Sequence, residues 1–146
     1  MPPTTPSTRF TFPDDVESWW TCSYTVPESS IDELGHMTAV HYPVAFEEAA
    51  VAFLDSLWGS AAPDFVVAET HVTYRHEIVL ETSPVLVSVA TWLVGRTSFG
   101  LHAVIADSEG IGCAYSSMRY VVWDREARSK APLSRPAREA LDRRRG

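Results

Sequence analysis

The hydrophobic pattern changes period twice along the chain. In "WWTCSYTVP" the residues Trp20, Cys22, Tyr24 and Val26 alternate with Thr21, Ser23 and Thr25, which predicts a half-buried strand. From Pro43 the spacing becomes helical, with Phe46, Ala49, Ala50, Phe53, Leu54 and Leu57 on one face. Pro43 suits a first helical turn, where its missing N–H would have had no partner, and Gly59 marks the stop. The opposite face carries Val44, Ala45, Val51 and Ala52, and its only charges are Glu47, Glu48 and Asp55. A helix that apolar nearly all round is expected to be largely buried. The period then returns to two through "FVVAETHVTYRHEIV", "PVLVSVATWLVG", "SFGLHAVIA" and "IGCAYSSMRYVVW", with "DSEG" as a tight turn between the last two. Short connections leave no room for parallel crossovers, so these four strands predict an antiparallel sheet. The economical packing is a curved sheet wrapped around the helix, an α+β fold. "REARSKAPLSRPAREALDRRRG" predicts a short charged helix starting after Pro132 or Pro136.

Composition narrows the class. A chain of 146 residues, 45% hydrophobic and with five tryptophans, is long enough for one domain with its own core. Residues 1–15, opening "MPPTTPSTRF", are expected to be a flexible leader, and 16–146 the single domain. The leader lacks the apolar segment of a secretory signal, and no apolar run approaches the roughly 20 residues that span a bilayer. A cytoplasmic protein without membrane partners is therefore expected. Cys22 and Cys113 form no C-x-x-C and are expected to be two buried thiols.

The net charge of −7 conceals an asymmetry. Eight of the twelve Lys and Arg lie between Arg125 and Arg145, while residues 1–124 carry sixteen acids against Arg9, Arg75, Arg96 and Arg119. So acidic a body is a poor nucleic-acid platform. The basic tail suits a solvated helix end, a phosphorylated ligand or an acidic neighbour.

Candidate chemistry concentrates in "SSIDELGHMTAVHYPVAFEEAA", residues 29–50. By spacing alone Asp32 reads as a turn or helix-capping carboxylate. His36 and His41 would lie about 140° apart on a helix, and His71 and His76 on opposite faces of a strand, so neither pair has the spacing of a helical zinc site. No metal or other cofactor is expected. Ser30, Ser98 and Ser116 sit in no G-x-S-x-G elbow, which argues against a serine hydrolase.

With Asp32, Gly35, His36, Tyr42, Phe46, Glu47, Glu48 and Ala49 in this order, the chain resembles the hotdog-fold acyl-CoA thioesterases of the 4-hydroxybenzoyl-CoA thioesterase type. Their helix entrance reads close to D-x-D-x-x-G-H-V-N-N-x-x-Y-x-x-x-F-E-E-A. The later strands and the proline-led last helix follow in the family's order. Ser30 stands in place of the first Asp, and Thr38-Ala39 in place of the Asn pair. The resemblance implies a hotdog fold, and a site in which Asp32, Gly35 and His36 are catalytic. Asp32 would be the nucleophile or the general base, and N–H groups of the helix start, between Gly35 and Val40, would polarise the carbonyl. It also implies that Ala39, Tyr42, Glu48 and Tyr74 line the substrate, and that Arg96, with Thr97 and Ser98, contacts the nucleotide. Arg75 and the tail arginines are alternatives for that contact. The implied substrate is an acyl-CoA or an acyl group on acyl carrier protein. The implied assembly is a homodimer or homotetramer, because a lone subunit leaves a sheet edge exposed. The rival readings are a hotdog protein that binds acyl-CoA or a lipid-like ligand without turnover, and a dehydratase or hydratase on the same fold.

Overall fold

The computed structural model describes Pro13 and residues 15–146, so most of the expected leader lies outside the described residues. Strand β1 (Trp20–Tyr24), helix α1 (His41–Trp58) and strands β2 (Phe65–Tyr74), β3 (Val85–Val94), β4 (Ser98–Ala106) and β5 (Gly112–Asp124) follow in the predicted order. A two-residue β6 (Ser129–Lys130) and helix α2 (Arg135–Asp142) complete the chain. The sheet runs β1–β3–β4–β5–β2 with every pairing antiparallel, and β6 pairs with β5. Helix α1 packs across β1, β3 and β4 on one face of it, the hotdog architecture.

The helix stops where expected. Gly59 caps it at φ 53°, a conformation in which a side chain is strained. Its buried face is Tyr42, Ala45, Phe46, Ala49, Ala50, Phe53, Leu54 and Trp58. Burying a phenylalanine such as Phe46 or Phe53 contributes about 1.5–3 kcal/mol. The face read as opposite is covered only in part: Ala45 is buried, whereas Val44 and Val51 remain 45% and 41% exposed. The reason is the position of β2. As the last strand it overhangs the helix, with Val67 50% exposed and its outer edge unpaired.

Two other expectations shift. The strand read as 65–79 ends at Tyr74, because the amides of Arg75 and His76 both donate to the Cys113 carbonyl and Ile78 turns into the core. Of the two thiols only Cys113 is fully buried, whereas Cys22 is partly exposed near the sheet edge. Helix α2 begins between the two candidate prolines, with the Ser134 hydroxyl accepting the Ala137 amide as N-cap. Beyond it the Thr91 amide donates to the Arg144 carbonyl and the Gly146 amide to the Thr91 carbonyl, so the tail covers the edge of β3 that β1 leaves open.

On the outer face of the sheet, Trp92 lies flat over Gly100, and His102 sits among Trp19, Trp92 and Tyr115. Burial pushes the His102 pKa down, opposed by Asp15. The unfolded chain therefore binds a proton at His102 more readily than the folded one. Stability present above the ordinary histidine value of about 6.5 is lost as pH falls below it. Thermal melts from pH 7.5 to 5 are expected to show a fall in melting temperature that is smaller in His102→Gln.

Candidate active site at the helix entrance

The segment before α1 is a small closed loop. Ile31 and Met37 bridge as an antiparallel pair, the Asp32 amide donates to the His36 carbonyl (2.9 Å), and the Gly35 amide to the Asp32 carbonyl (3.0 Å). Gly35 takes φ 80°, the left-handed conformation this turn needs. Asp32 Oδ1 accepts the amides of Leu34 (2.9 Å) and His36 (3.2 Å), the turn role that spacing alone suggested. Oδ2 has no hydrogen-bond partner among the described residues, and the residue is exposed.

The loop is fastened from below. The Met37 amide donates to the Ile78 carbonyl (2.8 Å), the Thr38 amide to the Ser30 carbonyl (2.9 Å), and His36 Nε2 meets Glu77 Oε2. The Tyr74 hydroxyl donates to the Ala39 carbonyl at 3.2 Å, and its ring stands edge-on to Tyr42, with centroids 4.9 Å apart. Tyr42 is buried beneath this contact, 4% exposed, and burial together with Cys113 pushes its phenol up to about 12. Tyr74→Phe removes one hydrogen bond from the entrance. That bond is worth about 1 kcal/mol, so the melting temperature is expected to fall by about 2–5 °C and, with the entrance loosened, kcat/KM by about fivefold.

The donors of the helix start resolve into two. The amides of Gly35, His36, Met37 and Thr38 are engaged as described, His41 and Tyr42 donate to the Thr38 and Ala39 carbonyls, and Pro43 has none. The amides of Ala39 and Val40 have no acceptor among the described residues. They sit at the positive end of an 18-residue helix, where developing negative charge is favoured.

From the first turn of α1 a groove of about 370 Å³ runs between the helix and the sheet, lined by Pro43, Val44, Glu47, Glu48, Thr70 and Met118. Of the expected substrate-lining residues, Glu48 is on this wall. Also on that wall, Glu47 Oε2 accepts the hydroxyl of the fully buried Tyr120 at 3.2 Å. Burial and Glu47 push that phenol upward, so it stays a donor.

Arg96, Thr97 and Ser98 lie elsewhere. They form the β3–β4 turn, where Ser98 pairs with Val121, itself opposite Val66 near the start of β2. That end of the sheet meets the last turn of α1, where Trp58 packs on Phe65 and Phe99. The helix, about 27 Å long, therefore separates Asp32 from Arg96 within one chain.

The sequence matches the thioesterase-like superfamily over residues 26–141. The chain belongs to that superfamily. No curated protein matches it. Among solved structures, a thioesterase from Thermus thermophilus, complexed with coenzyme A and zinc, is 25% identical, with a TM-score of 0.74 over 84% of this chain and 91% of that one. A predicted thioesterase from Bacillus stearothermophilus is 21% identical, with a TM-score of 0.79 over 87% and 96%. A 1,4-dihydroxy-2-naphthoyl-CoA thioesterase from Synechocystis is 18% identical, with a TM-score of 0.72 over 84% and 94%. This thioesterase shares their hotdog fold. Among its described residues no group of three or more His, Cys, Asp or Glu could hold a metal ion, and no helix is long and apolar enough to cross a membrane.

Sequence reasoning missed Glu77 as the partner of His36, and no signal could have found it: the two meet only because β2 ends beside the entrance loop.

Proposed function

We propose that this thioesterase hydrolyses an acyl-CoA to the free acid and coenzyme A at the entrance of α1. The observation that carries the reading is the pair of free amides, Ala39 and Val40, at the start of the same helix whose preceding turn holds the Asp32 carboxylate. The coenzyme A bound by the Thermus thermophilus relative supports the choice of thiol.

The thioester carbonyl oxygen accepts the Ala39 and Val40 N–H groups, which stabilise the charge it gains as the carbonyl carbon becomes tetrahedral. Asp32 supplies the attack by one of two routes. As a base it takes a proton from water, whose oxygen adds to the carbon; as a nucleophile it forms a mixed anhydride that water then opens. In either route the C–S bond breaks, the thiolate leaves and takes up a proton. His36 and Glu77 hold the loop that presents Asp32. The acyl group follows the groove along Pro43, Val44, Glu48 and Met118.

The functional unit is a dimer. β2 is an exposed edge strand, and two copies related by a two-fold axis pair it antiparallel to itself. Antiparallel pairing sets the Phe65 end of one copy against the Tyr74 end of the other. It thereby brings Arg96, Thr97 and Ser98 of one copy to the helix entrance of its partner, where Arg96 meets the phosphates of coenzyme A. A thiol-release assay over a panel of acyl-CoAs, with wild type and Asp32→Asn side by side, tests the reading. Tight acyl-CoA binding without turnover by the wild type would identify a binding protein instead.

A further inference from the structure

The floor of the groove continues toward the helix entrance. On β5 the inward side chains Ala114, Ser116, Met118 and Tyr120 are all buried, and they stand opposite Tyr74, Val72, Thr70 and Val67 of β2. Met118 and Thr70 line the groove, while Tyr74 bonds the Ala39 carbonyl beside the two free amides. Ser116 therefore lies between the helix entrance and the groove, on the face that both share. It is fully buried, and its hydroxyl has no hydrogen-bond partner among the described residues. A hydroxyl so placed costs stability unless a bound group meets it. Two carboxylates stand on the helix wall of the same groove. The Tyr120 hydroxyl fixes Glu47 Oε2, which leaves Oε1 without a partner among the described residues. Neither Glu47 nor Glu48 forms an ion pair among those residues. The body's bases are placed elsewhere: Arg119 is turned to the outer face, over Trp92 and toward Glu69, Arg96 lies at the far end of the helix, and Arg75 follows the end of β2.

We propose that the groove selects acyl groups that carry an ammonium group several carbons from the thioester. The proposal rests on the thioesterase reading above and deepens it by naming the acyl class. An ammonium ion brings three N–H donors and one positive charge. The groove offers the matching acceptors, Glu47 Oε1, the Glu48 carboxylate and the Ser116 hydroxyl oxygen. Hydrogen bonds assisted by charge are about twice as strong as neutral ones. A plain hydrocarbon chain leaves Ser116 and Glu47 desolvated and unpaired, and an acyl group with a carboxylate of its own is repelled. A hydroxyl-bearing chain satisfies the hydrogen bonds and leaves the charge uncompensated. The helix sets the distance: Glu47 follows Val40 by seven residues, about 10 Å along the axis, and helical side chains lean back toward the N-terminus. Pro43, Val44 and Met118 line the intervening stretch with apolar surface suited to methylenes. The surrounding body favours the same charge, because sixteen acids against four bases before residue 125 draw a cation inward.

The test compares CoA thioesters of one length that differ only at the far end of the acyl chain: 6-aminohexanoyl, heptanoyl, 6-hydroxyhexanoyl and hexanedioyl. They share the nucleotide and its arm, so their ranking reports the acyl groove alone. Wild type is expected to prefer the amino thioester to heptanoyl by about tenfold or more in kcat/KM, with the hydroxy compound between them and the diacid last. In Glu47→Gln, whose amide oxygen still accepts the Tyr120 hydroxyl, the amino-to-heptanoyl ratio is expected to fall by about fivefold, and in Ser116→Ala by about threefold. A merely structural role would slow all the thioesters alike and leave that ratio unmoved. Melting curves verify that the variants fold, and should Glu47→Gln not fold, the wild-type ranking and Ser116→Ala decide. Calorimetry with Asp32→Asn ranks the binding of the same thioesters without turnover. Wild type hydrolysing heptanoyl as fast as the amino thioester would overturn the proposal, and so would a ratio unchanged in Glu47→Gln. Equal preference for the hydroxy and amino compounds would overturn it as well, since hydrogen bonding alone would then select. Failure of wild type to hydrolyse any of them, with the amino thioester bound tightest by Asp32→Asn, would instead remove the thioesterase reading and leave the ammonium site standing.

Discussion

Asp32→Asn is expected to lower kcat for acyl-CoA hydrolysis by about 10²–10⁴-fold while shifting the melting temperature by no more than about 2 °C. The separation of the two effects follows from the turn. Asp32 Oδ1 accepts the amides of Leu34 and His36, and an asparagine carbonyl oxygen accepts the same two donors. What asparagine lacks is the second carboxylate oxygen, which can take a proton from water or attack a carbonyl carbon. Thiol release and thermal melts on the same preparations check both halves. Asp32→Ala loses the acceptor as well, and is expected to be equally inactive with a loosened entrance loop. Should Asp32→Asn turn over as fast as wild type, the carboxylate is only a turn residue and the proposed chemistry is wrong. ¹⁸O found in the enzyme after a single turnover in ¹⁸O-water identifies the anhydride route, with water opening the anhydride at the Asp32 carboxyl carbon.

On the proposed dimer, Val67→Glu is expected to give a monomer and to lower activity by about 100-fold or more, because a site shared between copies would lose its alignment. Val67 is half-exposed in the single chain, so the charge costs its own core little. In a β2 edge paired end to end with itself, position 67 lies opposite Val72 of the other copy, so the charge enters an apolar cross-strand contact. Light scattering coupled to size exclusion reads the mass, and the acyl-CoA assay on the same fractions reads the activity. A monomer that keeps full activity would show that one chain carries a complete site, and Arg96 would lose its role.

Much of the fold was legible because it is written in local periods. The helix over Pro43–Leu57, its stop at Gly59 and the three strands from Val85 onward each depend on residues within a few positions of one another, and each stands as read. The strand read through Val79 did not hold. Whether Ile78 continues a strand or turns inward depends on a core and on the Met37 amide, neither of which is near it in the chain. The apolar back of α1 was legible as apolar, but the pattern does not say which of its residues the chain's own sheet reaches. Val44 and Val51 need a surface that a single sheet does not reach.

The site divides along the same line. Asp32, Gly35 and His36 share a tight turn because they are neighbours in sequence, and that turn was visible as a motif. Two things were not visible: that the donors near them reduce to the amides of Ala39 and Val40, and that Glu77 holds His36. By itself the sequence determined the hotdog order of elements, the carboxylate at the helix entrance and the split between an acidic body and a basic end. These are matters of period, spacing and composition. Only the tertiary structure decided that Arg96 lies a helix length from Asp32 and that the tail arginines gather beside it around α2. The reason is physical: an antiparallel sheet sends successive turns to opposite ends, and only its closure says which distant residues arrive at the same one.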